Sequence, residues 1–184
     1  MLYKDNFLLL FLVSLLSFVL SVFSAGILAG PAIAGVFLII LNLIKEPSSR
    51  PVVGDIFKGF SFFEPTFIFV VVWMIIMVAG YFLLSILPNF LEYIIKFLFF
   101  IVLVMVSQFG ILLIIDKKVS FQEAWLMGFK VMRIHFPLLF AFTLIWMILS
   151  AAGGILYLIG IVLTMPISFC MITYAYLDLF NGKN

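Results

Sequence analysis

Few residues in this chain could do chemistry, and their spacing decides what kind. Glu92 and Lys96 stand four apart, the helical spacing at which a carboxylate and an ammonium meet. Gln108 is the one strongly polar side chain deep inside an apolar run. His135 is the only histidine and Cys170 the only cysteine. A metal site needs three or four converging ligands, and His135, just before Pro137, supplies one. Cys170 has no base beside it to generate a thiolate, and one cysteine closes no disulfide within the chain. There is no P-loop and no HExxH pattern. The middles of the apolar runs lack the ionisable groups that a proton relay or an ion path requires. We therefore expect no enzymatic activity, no cofactor and no metal. Glu92 and Lys96 should form an interfacial pair, and Gln108 an interhelical hydrogen bond; for each, ligand binding is the alternative.

The elements that position these residues follow from composition. The 184 residues are 67% hydrophobic, 18% aromatic and only 10% charged. Soluble domains run nearer half apolar and a quarter charged, so a compact soluble fold would leave large apolar patches in water. A net charge of +2 with no basic stripe argues against nucleic acid as a partner. The chain reads as a single transmembrane domain over residues 1–184, all-α, because lipid satisfies no backbone polar groups.

A bilayer core of about 30 Å takes about 20 apolar residues per helix. Six runs meet that length: Phe7 to Phe23, Ile27 to Ile44, Thr66 to Leu87, Leu91 to Ile115, Leu138 to Leu156, and Tyr157 to Leu179. They pair into three hairpins, two closed by glycine-rich turns ("SAGILAGP", "AAGG") and one by Pro88-Asn89. The first run could also be a signal peptide cut near Ser24, but Asp5 cancels Lys4 and the run is long for that role. Lys4, Lys45, Arg50, Lys58, Lys117, Lys118, Lys130, Arg133 and Lys183 all fall on one side of this six-span arrangement, and only Lys96 lies near the other. The positive-inside rule then places both termini and both long connectors in the cytoplasm.

Each long connector carries a short charged segment. In "GDIFKGFSFFEP" a helical wheel puts Ile56, Phe57, Phe60 and Phe63 on one face and Asp55, Lys58 and Ser61 opposite, with Phe62 breaking the pattern. In "SFQEAWLMGFKVMRIHFP" Phe121, Trp125, Phe129 and Met132 face away from Glu123, Lys130 and Arg133. Ser120 and Glu123 have the spacing of a capping box. Such helices lie in the headgroup plane. We expect two amphipathic elbows whose charges, Asp55, Lys58, Glu123, Lys130 and Arg133, anchor them to the surface and offer a docking face to a membrane-protein partner or anionic lipid. Gly59-Phe60 leads to "WMIIMVAG" and Gly128-Phe129 leads to "WMILSAAG", which suggests one parallel unit used three times with its first elbow missing. Ser14, Ser17, Ser21 and Ser24 share a face of the first run, and Gly26 and Gly30 make a GxxxG; both read as helix-packing surfaces. Tyr157, Tyr174 and Tyr176 read as interfacial or packing aromatics.

"AGPAIAGVFLIILNLIKE", "GDIFKGF", "SFQEAWLMGFKVMRIHF" and "GIVLTMPISFCMITYAYLDLF" together resemble a group of uncharacterised bacterial six-helix membrane proteins. That group is similar to the membrane domain attached to some glycerophosphodiester phosphodiesterases. The features that carry the resemblance are Pro31 and Gly35, Asp55 to Phe60, Glu123-Ala124, Pro166, and Tyr176 to Asp178. It implies a fold and a bacterial inner membrane, and with no phosphodiesterase domain present it implies no reaction. The expected function is a scaffold or accessory subunit for another membrane component. The alternative is a passive carrier for a lipid or small apolar molecule, which needs a cavity between hairpins. No feature decides for or against a homo-oligomer.

Overall fold

The computed structural model describes residues 6–46, 48–86, 88–155 and 157–181, without the side chains of 89, 152–163 and 181. These residues are almost wholly helical, with no strand among them. In chain order they form α1 (Phe7–Phe23), α2 (Ala29–Lys45), a 3-10 segment (Val53–Phe62), α3 (Phe63–Leu84), α4 (Asn89–Ser107), α5 (Gly110–Lys117), α6 (Phe121–Ile134), α7 (Phe136–Ile155) and α8 (Tyr157–Asn181). Lys4, Lys183 and the side chain of Tyr157 lie outside the described residues.

By length and apolarity, two helical runs are able to cross a membrane: Val53–Leu84, 32 residues, and Phe90–Lys117, 28 residues. A third is available if α6 and α7, bent by 106° at His135, count as one crossing. Phe7–Phe23, Ala29–Lys45 and Thr164–Phe180 are shorter apolar helices. Only 6% of the most apolar window of Val53–Leu84 is buried, against 61% for Phe90–Lys117. The α3 side is therefore an apolar wall, with Ile75, Val78, Phe82 and Leu83 all exposed, and a surface of that kind needs lipid.

The bundle is built around α2 and α5. In α2, 11 of 17 residues are buried: Gly30, Pro31, Ala32, Ala34, Gly35, Val36, Phe37, Ile39, Ile40, Leu41 and Leu43. This helix touches the 3-10 segment, α1, α3, α5 and α8. Residues Gly110 to Ile115 of α5 are all buried. α1 packs its serine face inward, with Ser14 and Ser17 buried beside Leu10 and Val13.

Three local expectations are corrected. Gly26 has φ +87 and nothing near it, so it turns the chain after α1; only Gly30 is at a helix contact, where a Cβ would fall 2.6 Å from the Thr66 carbonyl oxygen. Residues 151–154 continue α7 as helix instead of forming its closing turn. The run from Leu91 to Ile115 is broken at Gln108 and Phe109 into α4 and α5. Both residues keep right-handed helical dihedrals, so Phe90–Lys117 still runs as one helical stretch, and Gln108 lines a cavity.

Candidate functional site

Among the helices lies a cavity of about 190 Å³. Its walls come from six helices and the turn between two of them: Ile33 and Phe37 of α2, Trp73 of α3, Val104 and Ser107 of α4, Gln108, Ile111 of α5, Trp146 of α7, and Phe169 and Ile172 of α8. Most of the lining is apolar, and three polar side chains interrupt it. The Ser107 hydroxyl donates to the Leu103 carbonyl at 2.8 Å. Gln108 Oε1 accepts from Thr143 Oγ1 of α7 at 3.4 Å, the interhelical role expected for this side chain, at the long limit of such a bond. Gln108 Nε2 and Trp146 Nε1 are buried and have no partner among the described residues. Ser14 Oγ and Trp125 Nε1, away from the cavity, are likewise buried without a partner among the described residues. Among the described residues no ionisable side chain lines this cavity. Trp73 and Trp146 head the two matching "WMI" stretches, and the fold brings both to the same room.

A polar cluster joins α2, α5 and α8. Asp116 at the end of α5 forms a salt bridge with Lys45 at the end of α2. Its other oxygen accepts from the Tyr176 hydroxyl of α8 at 2.8 Å. Asp116 is only 10% exposed and Tyr176 is fully buried, whereas Lys45 is 46% exposed. A carboxylate this enclosed is stable only with such partners. Sequence reasoning missed this site: it took Asp116 as part of a charged flank and Tyr176 as a packing aromatic. The available signal was an acid directly abutting a run as apolar as Gly110 to Ile115.

The two charged segments are separate places. In the first, Lys58 pairs with Asp55 at 2.8 Å, and Asp55 Oδ2 accepts from the Val52 amide at 2.9 Å. The hydrogen bond from Lys58, then that from Val52, hold the Asp55 carboxyl below its usual range. Because this segment is a 3-10 helix, its period is three residues. Ile56 and Gly59 are buried and Phe62 packs on the core, while Phe57 and Phe63 are exposed. The expected apolar face is thus corrected: Phe62 belongs to it, and Phe57 and Phe63 do not. Gly59 lies against α2, where a Cβ would fall 2.3 Å from both Gly35 N and Pro31 O. Pro31, Gly35 and the stretch from Asp55 to Phe60, separate landmarks in the sequence, are one contact.

In α6 the capping box is present. Ser120 N donates to Glu123 Oε2 at 2.9 Å, and Glu123 N donates to Ser120 Oγ at 3.3 Å. The amide of Ser120, followed by its hydroxyl, depresses the Glu123 carboxyl below its usual range. Ala124, Gly128 and Met132 turn inward, and a Cβ on Gly128 would fall 2.1 Å from the Val106 carbonyl oxygen. Phe129, expected on the apolar face, is 47% exposed, with the Arg133 guanidinium 5.7 Å from its ring centre. Leu126, Phe129, Lys130 and Arg133 therefore form one exposed stripe at helical spacing. No ion pair joins Asp55 or Lys58 to Glu123, Lys130 or Arg133.

At the far end of the bundle Lys96 meets Glu92 at 2.6 Å, as their spacing predicts. Lys96 also donates to Ser85 Oγ at 2.8 Å and lies 3.6 Å above the Tyr81 ring, so the ammonium folds back onto α3. The pair thereby bolts α3 to α4. His135 is an exposed corner residue between α6 and α7, and Cys170 is buried. Among the described residues no three of His, Cys, Asp or Glu stand together as metal ligands do.

No protein-family model matches this chain, and neither a curated protein nor a solved structure does.

Proposed function

We propose that this chain is an integral membrane protein that holds a small, largely apolar molecule among its hairpins, as a carrier or facilitator without catalysis. The observation behind this reading is the cavity of about 190 Å³, lined by residues of α2, α3, α4, α5, α7 and α8. It meets the condition that separates a carrier from a close-packed scaffold. With no ionisable group on its wall, binding needs no proton coupling. The test is a solvent extract of the protein purified in nanodiscs, read by mass spectrometry against empty nanodiscs. An apolar compound should be enriched near one per chain in the wild type and lost in Ile33→Trp, which fills the room. Equal content in protein-loaded and empty discs contradicts the reading.

The finer arrangement belongs to the same proposal. Six crossings in three hairpins are supported by the apolar helices at each expected position, the 17-residue α1 and α2 being at the short limit for a span. Three observations support a repeated unit: Trp73 and Trp146 share the cavity, Gly59 and Gly128 each make the closest approach of their segment, and Lys45, Asp116 and Tyr176 meet near the ends of successive returning helices. Charge placement puts both termini and both charged segments, as interfacial elbows, on the cytoplasmic side. The resemblance described above supports a bacterial inner membrane as its location.

A second reading, a scaffold or accessory subunit, is favoured by one observation. Lys130 and Arg133 lie exposed beside Leu126 and Phe129 and make no ion pair, unlike Lys58. Mild-detergent pull-down should then recover a stoichiometric partner and lose it on Lys130→Glu. Repeated recovery of the chain alone would exclude it.

A further inference from the structure

We propose that α3, α4 and α6 form a binding site for one anionic phospholipid, with an acyl chain in the groove among them and its phosphate against Lys130 and Arg133. The site requires a membrane and is independent of the central cavity. Room comes first. A second space, of about 340 Å³, lies among Ile76 of α3, Phe99 and Val102 of α4, and Trp125, Leu126 and Phe129 of α6. Among the described residues no hydroxyl, amide or charged side chain lines it. An apolar hole of about 150 Å³ takes benzene, so this groove has room for a stretch of hydrocarbon chain. Gly128 brings α6 this close, seating it on the carbonyl of Val106, which lines the groove too. Val102, Leu126 and Phe129 are exposed, so the groove opens outward, on the side of the apolar α3 wall.

Charge names the occupant. Lys130 and Arg133 are exposed on the same stripe as Leu126 and Phe129, and neither makes an ion pair among the described residues. The Arg133 guanidinium lies 5.7 Å from the centre of the Phe129 ring, and Phe129 lines the groove, so a cation stands at its rim. The acid of this helix, Glu123, lies about two turns before Lys130 and is engaged by the Ser120 amide and hydroxyl. A hydrocarbon would fill the groove and leave both cations unmet. A small soluble anion would meet the cations and leave the groove empty. A zwitterionic phospholipid offsets its phosphate with its own ammonium. An anionic phospholipid answers both parts, and the guanidinium fork takes two phosphate oxygens at once. Lys58, by contrast, is already spent on Asp55.

Trp125, inside the groove, is the reporter. The chain has three tryptophans, so Trp73→Phe with Trp146→Phe leaves it alone. This protein, in phosphatidylcholine vesicles, is titrated with phosphatidylglycerol carrying brominated acyl chains, which quench indole on contact, and separately with brominated phosphatidylcholine. We expect saturable quenching by phosphatidylglycerol, with an association constant at least about fivefold that of phosphatidylcholine, the worth of one cation near the surface. Adding Lys130→Gln and Arg133→Gln together should abolish the preference, and Lys58→Gln should leave it unchanged. Equal quenching by the two lipids overturns the site, and a protein partner recovered through Lys130 would then give the stripe to the scaffold reading. A preference that falls as far with Lys58→Gln as with Arg133→Gln overturns it too, since net charge alone would be responsible. If the tryptophan variant does not survive size exclusion, native mass spectrometry of the wild type from nanodiscs of equal phosphatidylglycerol and phosphatidylcholine decides. One retained phosphatidylglycerol per chain is expected there, and retention of both lipids alike, or of neither, overturns the site.

Discussion

The 3-10 segment and α6 stand in corresponding places, each ahead of a long apolar helix and each with a buried glycine followed by phenylalanine. They differ in almost everything else. Val53–Leu84 runs on without a break, whereas α6 meets α7 at 106°. The first neutralises its own charges through Asp55 and Lys58; the second leaves Lys130 and Arg133 exposed. What they share is the glycine contact, Gly59 on Gly35 and Pro31, Gly128 on Val106. The Gly-Phe pair thus marks where a charged segment presses on the preceding helix, and says nothing of the angle at which the chain leaves. That angle depends on the cap and on the period. A 3-10 helix joins an α-helix end to end, while His135 closes α6 before Phe136-Pro137 opens α7.

Substitutions at these contacts sharpen the contrast. Gly59→Ala should be the most damaging, at about 3 kcal/mol, because its Cβ meets backbone from two residues of the heavily buried α2, and backbone cannot step aside. Thermal melting in detergent would show it, and a neutral result would mean the 3-10 segment is not seated on α2. Next, Tyr176→Phe removes the bond to Asp116, which sits just ahead of α6 as its partner Lys45 sits ahead of the 3-10 segment. A loss of about 2 kcal/mol is expected for a hydrogen bond to an ionised group. Gly128→Ala should cost about 1.5 kcal/mol, less than Gly59→Ala, since one carbonyl oxygen opposes it and α6 is free to pivot at its corner. A larger loss than that of Gly59→Ala would reverse the comparison. Ser120→Ala should cost about 1 kcal/mol through the lost cap, seen as earlier amide exchange at the start of α6. Val52, at the matching position, has no side-chain acceptor to lose.

Legibility in the sequence followed the range of the interaction. Apolar runs, the Ser120–Glu123 box and the Glu92–Lys96 pair depend on residues within a few positions of one another, and they lie where spacing puts them. The inner face of the 3-10 segment was misread because a period of 3.6 was applied where the chain turns every three residues, which exchanges Phe57 and Phe63 for Phe62. Gly26 looked like half of a packing motif, but its left-handed φ makes it a turn. The cluster of Lys45, Asp116 and Tyr176 spans well over a hundred positions and had no local signature. The cavity was the least legible of all. Gln108 stood out as polar, but nothing along the chain said that Trp73 and Trp146 would meet it.

The cavity itself can be addressed by methyl NMR of the protein in nanodiscs, with isoleucine δ-methyls labelled and acetophenone titrated. Ile33, Ile111 and Ile172 line the room, whereas Ile75 and Ile86 lie exposed on α3 and beyond it. Saturable shifts confined to Ile33, Ile111 and Ile172 are the predicted result. Non-saturating shifts at Ile75 and Ile86, with the three inner methyls unmoved, would mean that the molecule dissolves in the surrounding lipid and that this protein holds nothing.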